Sequence, residues 1–294
     1  MKALFFSGCK RLLHDPYARI VLFLMLAGGG ILAVFGSDTV RGQTASLDET
    51  MLGLALIAAL IVTVPVIVLF TQQELTDGAV RNKLTRGHSR TAVFAAQTFV
   101  SAAYCAACSV LLFAPVMIRA HDLLGRAMCA ETLCMLGVML CFLPSAAVLC
   151  TAVCLNLRDY AGAAVCIALL FAVFGSGLLV SDLLDRPAYL NDITYDGKAM
   201  IETQTENPHY IGGTLRTALK AYRAVNPVSC RLTAGSYIQD LPFIAGDKPA
   251  ADEEYAQRVT QIRKETAAAL PGLTCFLILT AGIGYAVFRR RDLR

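Results

Sequence analysis

Residues 51–90 read MLGLALIAALIVTVPVIVLFTQQELTDGAVRNKLTRGHSR. The first part, 51–71, holds no charged side chain. About 20 such residues cross the hydrocarbon core of a bilayer as a helix rising ~1.5 Å per residue. The second part, 74–90, opens with Glu74 and Asp77, then sets Arg81, Lys83, Arg86 and Arg90 around Gly78 and Gly87. A short helix over 77–87 is expected there. Acids suit its positive start, and Arg86 suits its end. Thr76 or Asp77 is the expected cap at the start, Gly87 supplies a left-handed stop, and Ser89 caps the helix that follows. On a helical wheel Val80 and Leu84 share one narrow side, while Arg81, Asn82, Lys83 and Arg86 take much of the rest. So short a helix is marginal alone in water, so it needs a surface of headgroups or protein. The basic cluster also acts as a topological anchor, because short Lys- and Arg-rich segments stay in the cytoplasm.

The pattern of 51–71 recurs along the chain. Apolar runs fall at 20–36, 51–71, 92–118, 127–155, 161–180 and 267–288. The whole chain of 294 residues is 56% hydrophobic with 16% charged residues, below the roughly 25% of a soluble domain. Its mean hydropathy is +0.58. The expected fold is an all-α integral membrane protein with six transmembrane helices. Both termini then share one side. With the N-terminus inside, segments 1–19, 72–90, 156–160 and 289–294 hold 13 basic residues in 49 positions. The short outer loops 37–50 and 119–128 hold only Arg41, Arg119 and Arg126. The positive-inside rule therefore puts both termini in the cytoplasm of a multi-pass cell-membrane protein.

Residues 1–19 read as an interfacial helix, with Phe5, Cys9, Leu12 and Leu13 at helical spacing and Lys2, Lys10, Arg11 and His14 toward headgroups. A charged start this long argues against a cleaved leader. Asp15–Pro16 then breaks the helix. Residues 20–181 form five spans with the short helix between the second and third, and 267–294 form the sixth span and a basic tail. Between them, 182–266 is a long polar segment with 10 basic and 12 acidic residues. It is expected to be mostly helical and extracytoplasmic. Leu215, Leu219 and Tyr222 on one side and Arg216, Lys220 and Arg223 on another mark an amphipathic helix over 213–227. A second helix is expected over 249–270, with a kink at Pro271.

Several chemistries find no support. The sequence has no GxxxxGK[ST] phosphate loop and no HExxH. His14, His88, His121 and His209 are scattered. The span centres carry no ionisable residue of the kind ion-coupled carriers use. Of the 11 cysteines, Cys105, Cys108, Cys134, Cys141, Cys150, Cys154, Cys166 and Cys275 lie in apolar runs, where Cys behaves as a small hydrophobe. Cys129 and Cys230 lie outside the span centres, and a disulfide between them stays open. "AGGG" at 27–30 and "FGSGLL" at 174–179 read as small-residue surfaces for close helix packing.

Glu74, Gly78, Val80, Arg81, Gly87 and Arg90 stand in an order that resembles the segment after the second span in permeases of the ABC type-2 export family. The basic amphipathic start "FSGCKRLLHDPYARI", the large segment before the last span and the tail "GYAVFRRRDL" extend the likeness. It covers about 40 residues by motif and the remainder by span order. The resemblance implies a coupling helix at 77–87 seated on a separate cytosolic P-loop ATPase subunit, which carries ATP and Mg. It implies a second permease subunit, identical or homologous. Glu74, Asp77, Gly78, Val80, Arg81, Asn82, Lys83, Leu84, Arg86, Gly87 and Arg90 would form that interface. Val80 and Leu84 would fill the ATPase groove, and Arg81, Lys83 and Arg86 would meet its charges. This chain would be no enzyme, would hold no cofactor, and would have the bilayer but no nucleic acid as a further partner. Other readings are an ATP-independent carrier or channel, and a membrane sensor or scaffold working through 182–266.

Overall fold

A computed structural model describes residues 1–35, 37–38, 46–47, 49–119, 130–157, 159–195, 200–239 and 253–290. A first helix, α1 (Lys2–His14), ends where Asp15 turns extended, and α2 (Pro16–Phe35) starts at Pro16, the first-turn position where proline is tolerated. Two short strands, β1 (Ser37–Asp38) and β2 (Ser46–Leu47), pair antiparallel. Then follow α3 (Glu49–Thr76), the short α4 (Ala79–Thr85), α5 (Arg90–Arg119), α6 (Ala130–Cys154) and α7 (Asp159–Asp185). The chain continues through strands β3 (Tyr189–Tyr195) and β4 (Met200–Glu206), then α8 (Gly213–Val225), α9 (Pro227–Gln239) and the long α10 (Glu253–Arg290). Six helices (α2, α3, α5, α6, α7 and α10) are long and apolar enough to cross a membrane. The chain is, by that measure, a multi-pass membrane protein. Cys129, one side of the disulfide left open, lies outside the described residues, whereas Cys230 is described and lies buried in α9.

The bundle has an inner and an outer tier. About half of each span is buried in α3, α5 and α6, against 28% of α2, 22% of α7 and 17% of α10. The outer helices show apolar side chains such as Phe23, Phe171 and Ile278. Such surface is stable only against lipid or another apolar partner. Inside, Met135, Val138, Met139, Phe142 and Leu143 of α6 pack into the main core with Leu56 and Ile67 of α3 and Leu112 of α5. Where α2 meets α5, a Cβ added to Gly29 would strike the backbone carbonyl of Leu112, as the "AGGG" reading expects. Tyr104 Oη donates to the Ala18 carbonyl at 2.9 Å across the same contact. The thiols of Cys154 and Cys166 approach to 3.4 Å, both free and buried.

The segment before the last span departs from its mostly helical expectation. Its first part is a seven-residue antiparallel hairpin running from Tyr189↔Glu206 to Tyr195↔Met200. Ile, Thr and Tyr favour strands, and Asp196–Gly197 between them is a hairpin-turn pair by composition. The amphipathic helix ends at Val225 rather than 227, because Asn226 turns extended and Pro227 opens a second helix. That second helix, α9, has no strong apolar face in its sequence yet is buried among α3, α6, α7 and α10. Its small residues permit this: Ser229 Oγ donates to the Gly177 carbonyl at 3.2 Å. The polar segment thus returns into the bundle. The helix expected over 249–270 and the sixth span are one helix, α10, which begins at Glu253 and runs through Pro271.

Asn226 holds the α8–α9 corner to α7. Its Oδ1 accepts from the amides of Val228 (2.9 Å) and Ser229 (3.3 Å), the capping pattern of a helix start. Its Nδ2 donates to the Val173 carbonyl at 3.0 Å and to Tyr222 Oη at 2.9 Å. Asn226→Ala is expected to lose about 2 kcal/mol. Asn226→Ser keeps a capping oxygen and should lose about half as much. Thermal melts of the detergent-purified chain rank the two, and an Asn226→Ser variant that melts like the parent would rule out a separate role for Nδ2.

Candidate functional site

Leu4 and Phe288 share one buried cluster with Val80, Val93, Phe94, Ala96, Ala152 and Leu155. The start of α1 and the end of α10 therefore lie at one end of the bundle, and α4 is packed between them. This end is the candidate site.

Two glycines shape α4. Gly78 has φ 68° and Gly87 has φ 87°, values that L side chains resist. Gly78 ends α3, with its amide donating to the Leu75 carbonyl at 3.2 Å. It also begins α4, its carbonyl accepting from the Asn82 amide at 2.8 Å. The expected Thr76 or Asp77 cap is therefore corrected: α4 starts from Gly78 with no side-chain cap. Thr76 Oγ1 turns back to the Gln72 carbonyl within α3. Only Asp77 and Gly78 separate α3 from α4, and the cap position falls on Gly78, which has no side chain to offer. The helix is accordingly seven residues, 79–85, rather than 77–87. At its other end the Gly87 amide donates to Leu84 and the His88 amide to Lys83, the paired bonds of a left-handed glycine stop. The Ser89 hydroxyl accepts from the Ala92 amide at 3.2 Å, capping α5 as expected.

Glu74 is the electrostatic centre. It lies in the last turns of α3 with no solvent exposure. Two cations meet it: Lys83 Nζ of α4 at 2.5 Å and Arg11 Nη1 of α1 at 2.6 Å. Arg11 also comes within 3.7 Å of the exposed Asp77 carboxylate. A buried carboxylate loses its hydration, and two cations within hydrogen-bond reach offset that cost. Arg11 thus faces the protein rather than the headgroups. The buried stripe of α1 is Leu4, Gly8 and Leu12, while Leu13 is 49% exposed. A Cβ on Gly8 would come within 2.8 Å of Val100. The true stripe runs through a glycine, which a search for apolar side chains passes over.

The expected contact residues divide between two faces. Val80 is 1% exposed and Leu84 half-buried, both turned into the chain's own cluster. Arg81, Asn82, Thr85 and Arg86 are exposed. Arg81 and Arg86 form no ion pair among the described residues. Arg90, at the start of α5, donates to the Arg289 carbonyl at 3.0 Å. Thr91 and Tyr285 hydroxyls lie 2.7 Å apart. Asn156 Nδ2 donates to the carbonyls of Ala152 at 2.7 Å and Gly284 at 2.9 Å. Leu4, Arg11, Asn156, Tyr285 and Phe288 are residues of this site that local pattern did not indicate. A small cavity of about 240 Å³ opens between α1 and α4, rimmed by Arg11, Lys83, Arg86 and His88. Burial raises the Cys9 thiol on the same α1.

The arrangement presents a short helix mounted at one end of the bundle. A short basic helix is fixed on its inner side by Val80 and by the Lys83–Glu74 pair, and its outer side is left open. Helix α4 packs on α3 and α5 and shares the Leu4–Val80–Phe288 cluster with the ends of α1 and α10. No family model matches this chain, and neither does any curated protein or solved structure.

Proposed function

We propose that the chain is the membrane-spanning permease subunit of an ATP-driven exporter in the cell membrane, with both termini in the cytoplasm. The observation that carries this reading is the rigidly mounted α4, which offers Arg81, Asn82 and Arg86 outward at the end of the bundle that holds both termini. The partner on that surface is a cytosolic P-loop ATPase with an acidic groove, which supplies ATP and Mg. A second permease subunit completes the pathway beside the exposed apolar helices. Closure of the ATPase dimer moves α4, and α1, α3, α5 and α10 follow as a unit because the Glu74 pair and the Leu4–Val80–Phe288 cluster join them. The exported substrate is not specified by this end of the protein.

The test separates contact from folding. Lys83 is unsuitable for charge reversal, since Lys83→Glu would set two carboxylates together beneath α4. Arg81→Glu with Arg86→Glu alters exposed residues, whose substitution moves stability by only about ±0.5 kcal/mol. That double variant is expected to lower co-purification with the ATPase and ATP-driven efflux at least tenfold, with an unchanged melting midpoint. Full efflux and ATPase stimulation in the variant would overturn the reading. Transport by the chain alone under an ion gradient would instead favour a carrier.

A further inference from the structure

We propose that a cleft at the opposite end of the bundle binds an amphiphile with an anionic headgroup. The cleft measures about 700 Å³ and lies where the end of α7, helix α8, helix α9 and the apolar part of α10 converge. That volume is within the range of small-molecule sites, about 300–1,000 Å³. Its walls have two characters. Leu184, Ala224, Ala268 and Ala269 form an apolar part of small, smooth side chains. Arg186, Arg216, Lys220 and Arg223 form a basic part, with Asp185 the one acid among its described lining residues.

Two of the four cations are paired with acids and, among the described residues, two are not. Arg216 donates to the carbonyls of Leu184 at 2.8 Å and Ile211 at 3.2 Å and lies 4.7 Å from the Tyr210 ring centre. These contacts orient the guanidinium, which forms no ion pair among the described residues. Arg223 pairs with Asp185 at 2.9 Å and Arg186 with Asp182 at 2.7 Å. Lys220 is exposed and forms no ion pair among the described residues. A phosphate or carboxylate set among Arg216 and Lys220 would gain charge-assisted hydrogen bonds. The height of the cleft suits a molecule with one polar end. Helix α7 ends at Asp185, and the last charged residue before the apolar run of α10 is Glu265, so the apolar wall sits where both helices pass from apolar to charged sequence. The inference concerns binding alone and is independent of transport.

Native mass spectrometry of the full chain in a zwitterionic detergent counts bound probe. Dioctanoyl phosphatidic acid is expected to bind, with dioctanoyl phosphatidylcholine and inorganic phosphate each weaker by at least tenfold. Lys220→Gln should weaken the phosphatidic acid about tenfold, and Lys220→Arg should retain it. Lys220 is exposed, so both variants should melt like the parent. Loss of probe binding in phosphatidylglycerol nanodiscs would support the proposal with bulk lipid as the source. Unchanged binding there would support it with a dilute amphiphile as the source. Equal binding of phosphatidylcholine, or no effect of Lys220→Gln, overturns the anionic headgroup. Phosphate binding as tightly as the amphiphile overturns the apolar half.

Discussion

Glu74→Ala is expected to lower stability by about 2–3 kcal/mol, the largest loss of any single change at the site. The estimate begins from the cost of breaking a buried ion pair, about 3–5 kcal/mol. It is reduced because Arg11 is 46% exposed and regains water once freed. Lys83 is 18% exposed and regains little, so its stranded ammonium dominates the loss. The variant should melt about 5–10 °C lower. Glu74→Gln keeps the shape and should lose nearly as much, because charge rather than volume is removed. A cycle with Lys83→Met isolates the pair: Glu74→Gln/Lys83→Met should lose about 1 kcal/mol less than the two single losses together. Strict additivity would mean that the two side chains are not coupled and that α4 is mounted by Val80 alone.

Gly272→Val should be at least as damaging, for a different reason. A Cβ built on Gly272 of α10 overlaps the backbone carbonyl oxygen of Ala224, the penultimate residue of α8. A side-chain obstacle could rotate away, but a carbonyl in a helix cannot without moving that helix. Overpacking a tight contact costs typically about 1–3 kcal/mol, and a backbone obstacle puts this site at about 3 kcal/mol or above. The displaced α8 carries Asn226 at its end, so α9 should loosen from α7 as well. Limited proteolysis would then cut near 225–227 in the variant faster than in the parent. Gly282→Val on the same helix is the control, because nothing lies within 4 Å of a Cβ there. Equal damage from both would assign the effect to the helix itself rather than to the contact.

The hairpin and α9 show where local pattern stops. Ile, Thr and Tyr within 189–206 favour strands, a local signal that the mostly helical expectation for 182–266 passes over. Helix α9 offers no such signal. Its burial follows from Ser229, Thr233 and Ala234 fitting among four other helices, which is a property of those neighbours. Likewise the Leu4–Gly8–Leu12 face exists because Val100 leaves room for a glycine and for no larger residue.

What the sequence determined by itself is whatever depends on solvent and on single residues. Six apolar runs require six membrane-length helices, because unpaired backbone groups are too costly in hydrocarbon for other structures. Gly87 and Ser89 set the stop of α4 and the cap of α5, since those conformations are decided within one turn. Tertiary structure alone decided which faces of α1 and α4 look inward, and so which side of α4 a partner can reach. Glu74 shows the physical reason. A carboxylate at the end of an apolar run is harmless in water and untenable when buried. Its neutralising partners come from nine residues ahead and from sixty-three behind, and only packing brings Lys83 and Arg11 together around it.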